Sequence, residues 1–208
     1  MFFSFDGIDG VGKSTQVTLL TEALRARGRD VIVCRDPGST PLGERIREVL
    51  LANDSGTPIS RRSEMLLYMA ARAQLVEQVI RPSLAAGRIV IADRYLLANV
   101  VYQGHAGGLE PQEIWQVGRV ATHGLMPDCV FVLDMSPTAA RRRIDRPLDR
   151  MENQGDEFRE RLRDGFLQEA VGRERIHVVS ADRPIEEIQA EIWQIAANAL
   201  RIPPLDAR

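Results

Sequence analysis

Five short runs of β-branched and aromatic residues recur along the 208-residue chain, at Phe2 to Phe5, Val31 to Cys34, Ile89 to Ala92, Cys129 to Leu133 and Ile176 to Val179. Longer stretches with helical spacing lie between them, such as Val17, Leu20 and Leu24, or Ile185, Ile188, Ile192 and Ile195. Near-continuous apolar strands separated by helical crossovers mean a parallel sheet buried on both faces. The pattern predicts an α/β fold, a five-stranded parallel sheet with helices on both faces. Such sheets bind ligands beyond the carboxyl ends of their strands, so the residues just after each run are where chemistry is expected.

After the first run comes Gly7-Ile8-Asp9-Gly10-Val11-Gly12-Lys13-Ser14-Thr15, which fits G-x-x-x-x-G-K-[ST] and opens the Val17/Leu20/Leu24 helix. The glycines let successive N–H groups point inward, and the helix N-terminus adds partial positive charge, so the loop suits a polyphosphate. Lys13 is placed to reach the β- and γ-phosphates of a nucleoside triphosphate, and the Ser14 hydroxyl to ligate Mg²⁺. Of 27 Lys and Arg residues, Lys13 alone is a lysine. A chain that otherwise uses arginine keeps a compact ammonium where a point charge must sit among phosphates.

The second and third runs lead into Arg35-Asp36-Pro37-Gly38 and Asp93-Arg94-Tyr95. Each puts an arginine at the predicted crevice. ATP carries about four negative charges and a nucleoside monophosphate about two, since the second pKa of a phosphate monoester is roughly 6. Mg²⁺ and Lys13 offset about three of the six, leaving about three for groups such as Arg35, Arg94 and an arginine from the run Arg141 to Arg150. The acceptor is then an anion. A hydroxyl acceptor would need a base, for which Asp6 and Asp9 are the candidates, whereas a phosphate dianion needs none.

The balance of 27 basic and 29 acidic residues leaves a net charge of −2, which argues against coating nucleic acid or anionic lipid. No run approaches 18 apolar residues, so no membrane span is expected, and the start Met-Phe-Phe-Ser-Phe-Asp lacks the features of a secretory signal; a cytoplasmic location is expected. Cys34 and Cys129 sit inside apolar runs and read as buried hydrophobes, while His105, His123 and His177 offer no zinc spacing. Without repeats or linkers, residues 1–208 read as one domain. Between 141 and 150 basic density peaks and the periodicity lapses; a solvated helix end and a functional segment both fit. The tail from Pro203 is expected to fray.

Nearly end to end, these residues resemble the thymidylate kinase family, which passes the γ-phosphate of ATP to dTMP. The resemblance is carried by Phe5-Asp6-Gly7 leading into the phosphate loop, Arg35-Asp36-Pro37-Gly38, Ala70-Ala71-Arg72, Asp93-Arg94-Tyr95, Tyr102-Gln103-Gly104, Leu148-Asp149-Arg150-Met151-Glu152 and Phe158-Arg159-Glu160-Arg161. It implies a P-loop nucleoside monophosphate kinase-like fold with a short lid at about 141–155, ATP and Mg²⁺ as cofactors, dTMP as acceptor and a homodimer. Arg35 and Arg94 would hold the acceptor phosphate, and Arg72 a thymine carbonyl. Tyr68 would stack, Tyr102 would lie against the deoxyribose with Gln103 assisting, and Asn99 would bond the base. Asp9 would sit between acceptor and metal, with Lys13, Asp9, Arg94 and a lid arginine, Arg146, at the transfer itself. Residues Gly7 to Thr15 and Arg143 would hold ATP, and Ser14 and Asp93 the metal.

Alternatives accompany these assignments. Tyr68 and Tyr102 could be core edges, Arg72 could pair with Glu64 or Glu77 on its own helix, and Asp134 also ends a strand. Arg143, Arg146 and Arg150 are all candidates for lid contacts. The chain also departs from the family pattern. Asp6 and Asp36 stand where glutamate is usual, Ser39 stands for the second glycine of Arg-Glu-Pro-Gly-Gly-Thr, and Ala98-Asn99 stands for a Ser-Ser pair. Another nucleoside monophosphate or deoxynucleoside kinase, or a non-catalytic nucleotide-binding regulator, are the competing functions.

Overall fold

The structure, a computed structural model, describes residues 1–52 and 58–202, so the tail from Pro203 lies outside the described residues. Strands β1 (Phe2–Asp6), β2 (Val31–Arg35), β3 (Ile89–Asp93), β4 (Cys129–Asp134) and β5 (Ile176–Ser180) form one all-parallel sheet in the order β2-β3-β1-β4-β5. Each strand runs one residue past the apolar run that announces it, to Asp6, Arg35, Asp93, Asp134 or Ser180. The ladder is made by the backbone, and it continues while the side chains turn polar; Arg35 still pairs with Asp93, and Phe5 with Asp93.

All five residues of β1 are buried, as its central place with cover on both faces requires. Helix α1 (Lys13–Arg25) packs with α9 (Ile185–Leu200), burying Val17, Leu20, Leu24, Ile188 and Ile192. Ile185 breaks that pattern: it is exposed, because the first helical turn projects past the sheet to the rim of a cleft. Cys34 and Cys129 are both buried, and burial pushes the Cys34 thiol up to about 12.

Helix α2 (Pro41–Leu51) starts at Thr40, whose hydroxyl accepts from the Gly43 N–H, with Pro41 in the first turn. Helix α3 (Arg61–Leu75) is capped by Ser60 and continues through a wide π turn, Val76–Ile80, into α4 (Arg81–Ala85). Pro82 has no N–H to give the preceding turn, and the backbone widens there. After β3, α5 (Leu96–Asn99) widens in the same way into a π segment, Val100–His105. Helix α6 (Pro111–Ala121) packs against α3, and α7 (Pro137–Arg142) follows β4. An irregular connection with one 3-10 turn, Glu152–Gln154, leads to α8 (Asp156–Ala170), which packs on the π segment. The expected lapse of periodicity at 141–150 falls on this connection from residue 143 onward, Arg141 and Arg142 forming the last turn of α7.

Candidate active site

Strands β2, β3 and β1 are neighbours, so the segments after Arg35, Asp93 and Asp6 open at one edge of the sheet. There the loop after β1 folds tightly. At Gly10, φ is +89° and a Cβ would lie 2.1 Å from the Ala140 carbonyl oxygen; at Gly7 it would lie 2.4 Å from that of Leu133. No side chain fits at either place. The loop runs straight into α1, whose first N–H groups face the cleft.

Two cavities meet at this edge. The larger, about 730 Å³, is lined by Asp9 through Gln16 together with Arg35, Asp93, Arg143 and the α9 residues Ile185 and Ile188. The smaller, about 100 Å³, is lined by Tyr68, Arg72, Ala98, Asn99, Tyr102 and Gln103, with Asp149, Met151 and Glu152 on its outer side. Asp9, Asp36, Arg47, Arg94 and Arg146 border both. Three guanidinium groups thus stand on the shared wall.

Lys13 Nζ donates to the Gly7 and Ile8 carbonyls at 3.1 and 2.8 Å and lies 3.6 Å from Asp9 Oδ1. Gly7 and Ile8 therefore act through their backbone and do not line the cleft. Burial and the neighbouring Arg94 charge both lower the Lys13 pKa, opposed by Asp9 and Asp93. Burial alone would raise the Asp9 carboxyl, but the Arg94 and Lys13 charges prevail and hold it well below the usual range. Asp6 behaves oppositely. Burial lifts it to about 7 against Arg94 and Lys13, it lines neither cavity, and its Oδ1 has no hydrogen-bond partner among the described residues.

Arg94 adopts φ 68°, a left-handed conformation uncommon for a residue with a side chain. This turn brings its guanidinium over the loop, to the Gly7 carbonyl at 2.9 Å and over the Tyr102 ring at 4.9 Å from the centroid. Arg35 borders the larger cavity, where its Nη2 donates to both Glu44 carboxylate oxygens at 3.1 and 2.9 Å. Ser39 takes a left-handed conformation, with φ 60°; its N–H donates to Glu44 Oε1 and its hydroxyl accepts from the Arg35 N–H.

Arg72 pairs with neither Glu64 nor Glu77. Its Nε donates to Asp36 Oδ2 at 2.5 Å and its Nη1 to Asn99 Oδ1 at 3.0 Å, all three residues being buried. The shorter aspartate at position 36 still reaches the guanidinium. Glu64, Tyr68 and Arg72 lie at four-residue intervals along one stripe of α3, and of the three Tyr68 and Arg72 line the smaller cavity. Tyr102 and Tyr68 both line that cavity, Tyr102 also packing edge-on to Phe158 and Phe166.

Ser14 Oγ and Asp93 Oδ2 stand 3.4 Å apart at the cleft. Two hard oxygen donors beside a phosphate site suit Mg²⁺, which takes one or two protein oxygens and completes its shell with water and phosphate. Asp134 is occupied elsewhere, accepting from Arg163 at 2.7 and 2.9 Å. In the connection, Arg146 gives both Nη groups to Glu152, at 2.8 and 2.6 Å. Arg143 donates to the Ala181 carbonyl at 3.3 Å, beside Ile185 and Ile188. Arg150 turns inward, to the Leu50 carbonyl and to Glu64, and lines neither cavity, whereas Arg146 borders both and Arg143 the larger alone.

Sequence reasoning missed Arg47, Gln16, Ile185 and Ile188. For Arg47 a signal existed, since Gly43, Arg47 and Leu50 share one face of the helix that Thr40 and Pro41 begin. Nothing local marks the others.

A thymidylate kinase family model matches residues 5–192. The chain is 44% identical to a thymidylate kinase of Rhodopirellula baltica over 92% of its length and 78% of that protein's. It is 41% identical to one of Thermosipho africanus, over 97% of this chain and all of the other. The crystal structure of thymidylate kinase from Ehrlichia chaffeensis superposes with a TM-score of 0.77 at 29% identity, covering 94% of this chain and 97% of that one. The phosphate loop, the strand-end arginines and the Arg72 pocket thus sit in a chain that, matched over most of its length, belongs to the thymidylate kinase family.

Proposed function

We propose that this protein transfers the γ-phosphate of ATP to dTMP, giving dTDP and ADP, with ATP in the larger cavity and dTMP in the smaller, a step toward dTTP. The single observation that carries the arrangement is the shared wall of Arg47, Arg94 and Arg146 between the cavities. Two polyanions can approach end to end only where fixed positive charge offsets their repulsion.

Loop N–H groups and Lys13 hold the β- and γ-phosphates, and Arg143 with Ile185 and Ile188 offers a platform for the donor base. Bound Mg²⁺, held by Ser14 and Asp93, would neutralise charge on the phosphates. A dTMP phosphate oxygen forms the new P–O bond as the β–γ bond breaks and ADP departs. The acceptor is a dianion at neutral pH, so no side chain need take a proton. Asp9, kept ionised, orients Arg94 toward the transferred group. Tyr68 stacks on the base, Tyr102 fills the space beneath the deoxyribose, and Arg72 with Asn99 reads the base edge.

Residues 1–208 act as one kinase domain with a lid at about 141–155. The smaller cavity is below the roughly 300–1,000 Å³ usual for ligand sites, and Arg146, Asp149, Met151 and Glu152 form part of its wall. These lid residues move outward to admit dTMP and close to exclude water. A homodimer is supported by exposed Leu42, Val49, Leu66 and Val120 on the neighbouring helices α2, α3 and α6, and sedimentation tests it. No described helix is long and apolar enough to cross a membrane.

An ADP-release assay with dTMP, dUMP, dCMP, UMP and thymidine as acceptors tests the reading. Turnover is expected to be highest with dTMP and negligible with thymidine, which lacks the phosphate. Equal turnover with thymidine would point to a nucleoside kinase, and ADP release independent of any acceptor to a hydrolase.

A further inference from the structure

Behind the Arg72 pocket runs a chain of buried side chains with one hydrogen-bond direction. Arg72 Nη1 donates to Asn99 Oδ1 at 3.0 Å, Asn99 Nδ2 to Gln103 Oε1 at 2.6 Å, and Gln103 Nε2 to Glu64 Oε1 at 2.8 Å. The other Glu64 oxygen accepts from Arg150 Nη2 at 2.5 Å. Arg72, Asn99, Gln103 and Glu64 are all at most 2% exposed. A guanidinium can only donate and a carboxylate can only accept, whereas each amide between them can face either way. The two ends therefore fix both amides: Asn99 must turn its carbonyl oxygen toward Arg72 and its NH₂ toward Gln103.

From this geometry we infer that Glu64 is a positioning residue, setting the polarity of the Gln103–Asn99 pair so that the acceptor pocket reads a pyrimidine with an N3–H donor beside an O4 acceptor. The inference rests on the dTMP reading above. Asn99 Oδ1 keeps a second lone pair next to the Arg72 donors, which matches an imide edge. A cytosine edge reverses both partners, setting an amine against Arg72 and a bare ring nitrogen against the carbonyl oxygen. Gln103 acts through Asn99, since its own amide is spent on Asn99 and Glu64.

Glu64→Gln keeps the shape and cannot keep both bonds. One oxygen of the new amide can accept from Arg150 or from Gln103, and its NH₂ then opposes a donor at the other. The charged Arg150 retains the oxygen because its bond is the stronger one, and the mismatch passes into the relay. Exchanging the two groups, in Glu64→Gln with Gln103→Glu, restores every bond. Arg150 then donates to the oxygen of the amide at position 64, while the NH₂ of that amide and Asn99 both donate to the carboxylate placed at position 103.

The test is kcat/KM for dTMP and for dCMP in the parent protein and three variants, with thermal unfolding as the check on folding. Glu64→Gln is expected to raise KM for dTMP about tenfold and to lower the dTMP-to-dCMP ratio by a similar factor, with KM for ATP little changed. The exchanged double variant is expected to recover most of the ratio. Gln103→Met, which cuts the relay but leaves Glu64 with Arg150, is expected to lose the ratio as Glu64→Gln does, and it decides the matter if Glu64→Gln does not fold. An unchanged ratio in a folded single variant, or a double variant no better than Glu64→Gln, would overturn the inference. Absence of dTMP turnover in the parent would instead defeat the function reading.

Discussion

Arg94 Nη2 lies 2.6 Å from Asp9 Oδ1, and Tyr102 closes a triangle with them. The tyrosine hydroxyl donates to Asp9 Oδ2 at 2.9 Å and accepts from Arg94 at 3.0 Å. The two charged residues are 85 positions apart and meet because β1 and β3 are adjacent and parallel, with Phe5 beside Asp93. The left-handed backbone at Arg94 costs about 1–3 kcal/mol. That cost is offset by the three partners that the turn brings within reach.

Arg94→Lys keeps a charge but not the planar fork that faces Asp9, Gly7 and Tyr102 together. It is expected to lower kcat at least about a hundredfold, with a much smaller effect on KM for ATP. Steady-state kinetics against each substrate checks this, and a kcat within a few-fold of the parent would remove Arg94 from the transfer step.

Asp6 gives a pH signature. Its carboxyl keeps its proton to about pH 7 in the folded chain, against 3.8 ordinarily, because burial outweighs the nearby positive charges. Between those values the folded state binds more protons than the unfolded one, so this group makes stability fall as pH rises. Asp6→Asn removes that slope. Relative to the parent, the variant is expected to gain stability from near pH 4 to near pH 7, by on the order of a few kcal/mol in total. Urea unfolding across that range checks it, and a difference that stays constant with pH would contradict it.

Arg72 both holds Asp36 and lines the cavity proposed for dTMP. Arg72→Ala strands Asp36 as a buried carboxylate and is expected to cost about 3–5 kcal/mol of stability. Adding Asp36→Asn is expected to return part of that stability while leaving KM for dTMP high. Recovery of KM together with stability would show that Arg72 acts through the fold alone.

Arg35 borders the larger cavity, next to the wall the two cavities share, and must leave Glu44 to reach the acceptor phosphate that the family resemblance gives it. The pair is exposed, with both side chains more than 40% accessible, so its net worth is about 1 kcal/mol or less. Glu44→Gln is expected to lower KM for dTMP by up to about fivefold, with kcat little changed. A raised KM would mean that Glu44 aims Arg35 and does not compete for it.

How much of this was legible in the chain depended on how local each signal is. The five strands are apolar runs, and the phosphate loop is contiguous with the strand and helix that frame it, so both could be read directly. Tyr68 and Arg72 were singled out by the family resemblance alone, and both line the smaller cavity. What Arg72 pairs with was not legible, because Asp36 and Asn99 lie 36 and 27 residues away and both carboxylates on its own helix offered a plausible partner. The inward turn of Arg150 depends on Glu64, 86 residues distant. Asn99 showed as a departure from the family pattern, but its orientation is decided by groups at both ends of a relay that no sequence window contains.

The most direct test follows ATP, dTMP and Mg²⁺ with the protein by ³¹P NMR. The expected result is loss of the ATP γ signal with matched growth of ADP and dTDP resonances and no inorganic phosphate, and none of this with Lys13→Ala. Inorganic phosphate growing in place of dTDP, or dTDP formed at an undiminished rate by Lys13→Ala, would contradict direct transfer across the arginine-lined wall.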